Sequence, residues 1–319
     1  MANQITATAH TNIALIKYWG KRDVALNLPT TSSLSLTLDK FYTTTTVRFE
    51  HSKASDELIL NGASADSARI HSFLELFRGQ FGDFPAVAVT SENHVPTAAG
   101  LASSASSFAA LAAAMNGLLS LDLGLTDLSR LARRGSGSAS RSLFGNFAEW
   151  HAGTDDASSF AESFYDDDIG LTMIAAHVSG SEKKISSTLG MQRAQTSPLY
   201  GKWVEHSARQ LTDMKRAIVS ADSEQIGLIA QENALSMHAL NRSCSTPFDY
   251  FTDETRALIA FVESCYKSGL LAFVTLDAGP NVKIITNAQD AQKLLKKCQE
   301  NFPELAFDVC RAGGGVQID

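Results

Sequence analysis

Cysteine is scarce in this chain and confined to its last quarter. Cys244, Cys265, Cys298 and Cys310 are four residues of 319, and no two form a C-x-x-C pair. That spacing argues against zinc and leaves reduced, buried thiols, as expected of a cytoplasmic protein. Positive charge is also short: 27 lysines and arginines stand against 34 acids, for a net charge of −7. An acidic chain argues against nucleic acid and acidic membrane surfaces as partners, although a pocket can be basic inside an acidic protein. No apolar run approaches the roughly 20 residues that span a bilayer. Met1-Ala2-Asn3-Gln4 has no charged region leading into an apolar core, so no signal peptide is read there. There is no Gly-x-x-x-x-Gly-Lys-Ser/Thr phosphate loop. No Ser-His-Asp arrangement is legible among the scattered histidines. The acid clusters Asp155-Asp156 and Asp166-Asp167-Asp168 lack the spacing of a calcium loop and read as solvated turns.

What is present is enough apolar sequence, 44% of the chain, to build a core of one large or two ordinary domains. The first third is rich in β patterns. Residues 4–18 read as a strand. Residues 31–38 and 43–50 read as two more, with Asp39-Lys40 as the turn between them. Residues 64–79 have helical spacing, and 85–91 read as a strand. The spacing predicts a helix from Thr126, with that residue as N-cap. Strands are expected at 171–178, 270–276, 282–286 and 304–309, and helices at 199–219, 222–239, 249–268 and 289–300. Gly313-Gly314-Gly315 reads as a flexible tail.

Three stretches carry chemistry. Asn93 to Ser107 is a loop of small residues feeding an Ala-rich helix that begins near Leu101. Unpaired N–H groups and the positive end of the dipole make such an entrance an anion site, commonly for phosphate. Ser103 and Ser104 would add hydroxyls for phosphate or Mg²⁺. A capped core helix has the same signature. Lys17 ends an apolar run, where a cation is costly to bury without a carboxylate partner, and is therefore a site candidate. Arg133 to Ser142 is a second small-residue loop with arginines at both sides, readable as an anion nest or as a linker. Asp277 ends an apolar strand ahead of a Gly-Pro turn. That position suits a catalytic acid, and equally a turn-initiating aspartate.

Asn12-Ile13-Ala14-Leu15-Ile16-Lys17-Tyr18-Trp19-Gly20-Lys21-Arg22-Asp23 resembles the N-terminal signature of the diphosphomevalonate decarboxylases, a family of the GHMP kinase superfamily. The resemblance continues through Pro96 to Ser104, through Arg134 to Ser142, and to Asp277-Ala278-Gly279-Pro280-Asn281. Four motifs in order over most of the chain are specific jointly, although each alone is weak. The resemblance implies an α+β, GHMP kinase-like fold of two domains. The N-terminal domain (1–178) would be of the ribosomal S5 domain 2-like type, with a left-handed β-α-β unit and the ATP phosphate loop. The C-terminal domain (179–319), of antiparallel sheet and helices, would carry the catalytic aspartate, with the active site in the cleft between.

It further implies Mg-ATP-dependent decarboxylation of (R)-5-diphosphomevalonate to isopentenyl diphosphate, ADP, phosphate and CO₂ through 3-phosphorylation, and commonly a homodimer. An alternative is a related decarboxylase or 3-kinase acting on 5-phosphomevalonate or mevalonate. By the same resemblance Asp277, Lys17 and Arg141 are catalytic, with Arg141 holding the C1 carboxylate. Tyr18, Trp19, Gly20, Lys21, Arg69, Ser136, Gly137, Ser138, Ala139, Ser140, Thr196 and Ser197 bind substrate. Pro96, Ala98, Gly100, Leu101, Ala102, Ser103, Ser104 and Ser107 bind ATP, with Ser103 or Ser104 near Mg²⁺.

Overall fold

The computed structural model describes residues 4–95, 103–178 and 185–319. The first half runs β1 (Gln4–Ile16), β2 (Lys21–Asp23), β3 (Leu28–Pro29), β4 (Ser33–Phe49), β5 (Glu57–Leu60), β6 (Ala63–Ala65), α1 (Ala68–Phe81), β7 (Val87–His94), α2 (Ser103–Leu118), α3 (Leu125–Gly135), a 3-10 helix (Gly137–Leu143), β8 (Phe147–Trp150) and β9 (Ala161–Tyr165). The second runs β10 (Leu171–His177), α4 (Ser187–Ala194), α5 (Tyr200–Val219), α6 (Ser223–Ser243), α7 (Asp253–Lys267), β11 (Phe273–Leu276), β12 (Val282–Asn287), α8 (Ala291–Asn301), β13 (Ala306–Cys310) and β14 (Gln317–Ile318).

An eight-stranded sheet is ordered β14-β1-β4-β7-β5-β6, with β8 on β4 and β9 on β8. Its pairings are antiparallel except β5 with β7. α2 is buried nearly all round, as expected for a helix without a polar face. Six of its alanines are buried, and five of them (Ala109, Ala110, Ala112, Ala113 and Ala114) share one core with Ala7 and Ala9 of β1. Small residues on both surfaces let the helix lie close to the sheet.

The second sheet, ordered β11-β12-β10-β13, is antiparallel. α5 and α6 fill one side of it, sharing a core with Ile13, Leu15, Leu34 and Leu36 of the first sheet. α7 and α8 cover the other. The division expected at residue 178 assigns β10 to the first half, but its hydrogen bonds put it in the second sheet, so sheet membership changes between Tyr165 and Leu171.

Four local expectations are corrected. Asp39-Lys40 is not a hairpin turn: β4 is one strand, and both of its parts pair with β1. Between His10↔Tyr42 and Asn12↔Thr37, β1 advances two residues while β4 advances five, so the polar pair is extruded as a bulge. Asp39 is pinned there by bonds to and from the Arg311 backbone. Thr126 is not an N-cap, because α3 begins one residue earlier, after Gly124. The terminal glycines are not a free tail. Gly313 exchanges bonds with Thr37 and Asn146, Val316 bonds Leu143, and β14 pairs with β1. A Cβ on Gly313 would come within 2.5 Å of the Leu38 backbone, so glycine permits this contact where a side chain would obstruct it. Of the acid clusters, Asp156 is only half exposed and binds Arg133 and Arg134, rather than being simply solvated.

Gly313→Val should lower unfolding stability by about 1–3 kcal/mol through overpacking against backbone. Gly314→Ala, where nothing lies within 4 Å of the new Cβ, should stay within about 0.5 kcal/mol of the parent. Urea titrations of the two variants check this; equal effects would mean that the segment is not held as described.

Candidate active site

β1 ends at Ile16, and the next three residues cross toward the second half of the chain. Two buried asparagines of α6 receive them. Asn233 Oδ1 accepts the Lys17 backbone N–H at 2.8 Å, and Asn241 Oδ1 accepts Trp19 Nε1 at 3.0 Å. Asn233 is held in turn by Ser207 and Gln210 of α5. Gly20 follows at φ +132°, and a Cβ there would lie 1.8 Å from the Tyr200 hydroxyl, which donates to the Trp19 carbonyl. Gly20 is thus needed for the turn and is not on the cavity wall itself.

From the other side, β11 delivers Asp277. Lys17 Nζ lies 2.8 Å from Asp277 Oδ1 and also donates to the Ala14 carbonyl. Lys283 Nζ, from β12, lies 3.4 Å from Asp277 Oδ2. Both lysine side chains are 2% exposed, whereas that of Asp277 is 30% exposed. Burial pushes the Asp277 carboxyl up, but the two ammonium groups outweigh it and hold it well below the usual carboxylate range. Burial lowers Lys17, and the same carboxylate opposes that shift, so each member of the pair sustains the other's charge.

Arg141 rises from the 3-10 helix and is buried. Its Nε donates to Ser35 at 3.0 Å and to Asn12 at 3.3 Å, and its Nη1 donates to Ser33 at 2.5 Å. The ring of Trp150 lies 5.8 Å away. Nη2 donates to no described residue. Burial lowers the guanidinium to about 10, against the pull of Asp277, which leaves it charged at neutral pH. Asn12 ties the same helix to β1 through Ser138 and Ser142.

These groups open on a cavity of about 450 Å³. Lys17, Tyr18, Trp19, Lys21, Arg69, Ser136, Gly137, Ser138, Arg141 and Asp277 all lie on its wall, as does Ser104. Asp277 is the one carboxylate on that wall among the described residues. Burial lowers Lys21, with Arg69 adding to the shift, and burial alone lowers Arg69. Neither forms an ion pair among the described residues, although Arg69 bonds the Gly135 carbonyl and lies over Phe108.

A second cavity, of about 230 Å³, shares Arg69 and Ser104 with the first. Ser103, Ser107, Ser91, Asn93, Thr45 and one carboxylate, Asp66, line its polar side, and Leu58, Leu60, Ile70, Val89, Phe108 and Leu111 its apolar side. Pro96, Ala98, Gly100, Leu101 and Ala102 lie outside the described residues.

Besides Gly20, four residues expected from the sequence do not reach the wall. Ala139 and Ser140 are buried within the 3-10 helix, where Ser140 bonds the Gly137 carbonyl. Thr196 and Ser197 bond Ser245 and Ser243 instead. The corresponding stretch of wall is made by Ser186, Ser187 and Thr188, at the start of α4. Helix periodicity in a polar segment is too faint to show which hydroxyls turn inward.

Other residues were missed where a signal existed. Lys283 interrupts Val282-Lys283-Ile284-Ile285, the same pattern that singled out Lys17. Ser33 and Ser35 alternate with Leu34 and Leu36, and all four are buried. Buried hydroxyls along one strand face need partners, and here they hold Arg141.

Residues 9–161 match the family described as the diphosphomevalonate decarboxylase-like N-terminal domain, and residues 173–311 match the mevalonate 5-diphosphate decarboxylase C-terminal domain. The chain is 38% identical over 333 residues to the diphosphomevalonate decarboxylase of Ganoderma lucidum, covering 94% of this chain and 82% of that protein. It is 37% identical over 314 residues to the diphosphomevalonate decarboxylase of Saccharomyces cerevisiae, covering 91% and 79%. Mevalonate diphosphate decarboxylase from Staphylococcus aureus superposes with a TM-score of 0.95 at 40% identity, over 100% of this chain and 98% of that one. A complex of MDDEF with MVAPP, AMPPCP and magnesium superposes with a TM-score of 0.94 at 41% identity, over 99% and 98%. The two-domain α+β, GHMP kinase-like fold expected above is the fold of this chain. Matched through both halves and along most of its length, the chain belongs to the diphosphomevalonate decarboxylase family.

Proposed function

We propose that this cleft converts (R)-5-diphosphomevalonate and ATP into isopentenyl diphosphate, ADP, phosphate and CO₂. The observation that carries the reading is the charge layout of the larger cavity: a single ionised carboxylate, Asp277, is set among Lys17, Lys21, Arg69 and Arg141. Such a site favours a substrate with anionic groups at both ends and a neutral hydroxyl between them.

The smaller cavity fits Mg-ATP. It joins an apolar wall, suited to a heterocycle, to the serine hydroxyls that begin α2, whose first turn holds no acid to repel phosphate. Ser103, Ser104 and Ser107 would meet the phosphates and Ser103 or Ser104 the magnesium. Mg-ATP supplies the phosphoryl group that turns the tertiary 3-hydroxyl into a leaving group.

Asp277 accepts the hydrogen bond of that hydroxyl. Held ionised, it is a weak base that orients the oxygen more than it deprotonates it, which suffices when phosphoryl transfer is loose. Arg141 presents Nη2 to the C1 carboxylate. Its other nitrogens are held by Asn12, Ser33 and Ser35, so the carboxylate is kept aligned while the C1–C2 electrons form the alkene and the C3–O bond breaks. Lys21, Arg69, Tyr18 and the Ser136–Ser138 turn receive the diphosphate. A cytoplasmic setting belongs to the same reading and is supported by four buried, unpaired thiols; no helix among the described residues is long and apolar enough to cross a membrane.

The deciding assay follows ADP and CO₂ together with Mg-ATP and 5-diphosphomevalonate. Equal release is expected. ADP without CO₂, or a tenfold preference for the monophosphate, would overturn the reading. Asp277→Asn should lower kcat by about 10²–10⁴-fold while leaving ATP binding within about threefold by calorimetry. Arg141→Lys keeps a charge but loses the fork. It should raise KM for 5-diphosphomevalonate and slow CO₂ release by about tenfold or more, with KM for ATP little changed in the same assay.

A further inference from the structure

Lys283 lies inside β12, paired across the sheet with Thr275 and Ala175 and followed by two isoleucines. It is 2% exposed, and its one ion-pair partner among the described residues is Asp277, at Oδ2. Lys17 already claims Oδ1. A single cation neutralises a carboxylate, so a second buried ammonium leaves the trio with an excess positive charge. Burying that charge costs stability. Packing gives no reason for it, because an apolar side chain of similar length would suit the strand.

We propose that Lys283 is a positioning residue for this decarboxylation: it clamps the second oxygen of Asp277, so that the carboxylate cannot turn about its Cβ–Cγ bond and stays the ionised acceptor of the substrate hydroxyl. The inference rests on the decarboxylase reading above. With one oxygen held by Lys17, just past the end of β1, and the other by Lys283 of β12, the face of the carboxylate left to substrate is the one exposed to the cavity. The charged and titratable groups around Asp277 are Lys17 from the end of β1, Lys283 from β12, Arg141 from the 3-10 helix and His238 from α6. Burial lowers His238 to about 3, so it is neutral where the enzyme would work. Loss of Lys283 leaves Asp277 paired with Lys17 but less firmly ionised. Its pKa rises, and protonation sets in earlier as pH falls.

Lys283→Met and Lys283→Arg are compared with the parent in the ADP and CO₂ assay from about pH 4 to 8, alongside thermal unfolding. The methionine variant should lose about tenfold or more in kcat while both KM values stay within about threefold. Its Tm should hold level or rise, and its activity should begin to fall toward about pH 4, the ordinary carboxylate range, where the parent's stays flat. The arginine variant should recover most of kcat. A lower Tm, with kcat and KM impaired alike at every pH, would make Lys283 a packing residue and overturn the proposal. Parental kcat and pH profile in the methionine variant would overturn it as well. Failure of that variant to fold counts against the stability argument, and Lys283→Gln then carries the kinetic comparison. A parent that releases ADP without CO₂ contradicts the decarboxylase reading instead, and the clamp is then judged by the same kcat and pH changes in ADP release.

Discussion

The ion pair between Lys17 and Asp277 joins residues 260 apart in the chain, and the architecture is arranged so that they meet. Lys17 is almost wholly removed from water, and Asp277 retains only its opening to the cavity. Either charge left alone at that depth would be costly. Their contact therefore requires the first sheet, which brings Lys17 at the end of β1, and the second, which brings Asp277 at the end of β11, to keep one relative position. The cleft is the space that this requirement leaves between them.

Buried amides and hydroxyls maintain that position. Asn233 of α6 grips the backbone of Lys17, Asn241 grips the indole of Trp19, and Ser33, Ser35 and Asn12 grip the guanidinium of Arg141. These bonds are short and directional and lie in a low-dielectric interior, so a wrong placement leaves a polar group unsatisfied. That makes the reacting groups part of a rigid frame. The groups suited to receive anions are held less: Lys21 and Arg69 carry no carboxylate partner among the described residues. Rigid charge at the chemistry and uncompensated charge at the binding end is the division of labour expected of a site that must orient one end of a polyanion and attract the other.

Small residues decide how close the parts can come. Alanines on β1 and α2 let the helix lie near the sheet, so its first turn reaches the junction where Ser104 and Arg69 face both cavities. Gly313 lets the last strand cross Leu38 and close the edge of the first sheet with residues from the far end of the sequence. A phosphate donor in one cavity and a hydroxyl acceptor in the other would thus share a wall, as a direct transfer demands.

The sequence by itself determined the element types and the chemically loaded stretches, because periodicity and the cost of burying charge are local properties. Lys17 at the end of an apolar run announced a missing carboxylate, and the order of four motifs supplied the family. Tertiary structure decided what depends on meeting across distance. It made Asp39-Lys40 a bulge, since both parts of β4 find the same partner strand. It put β10 in the second sheet and tied down the terminal glycines. It turned Ser186, Ser187 and Thr188 to the cavity in place of Thr196 and Ser197, and it gave Asp277 a second lysine. Lys283 carried the same local signal as Lys17, yet a buried charge in a sequence shows only that a partner is needed; which group meets it is set by how the two sheets pack.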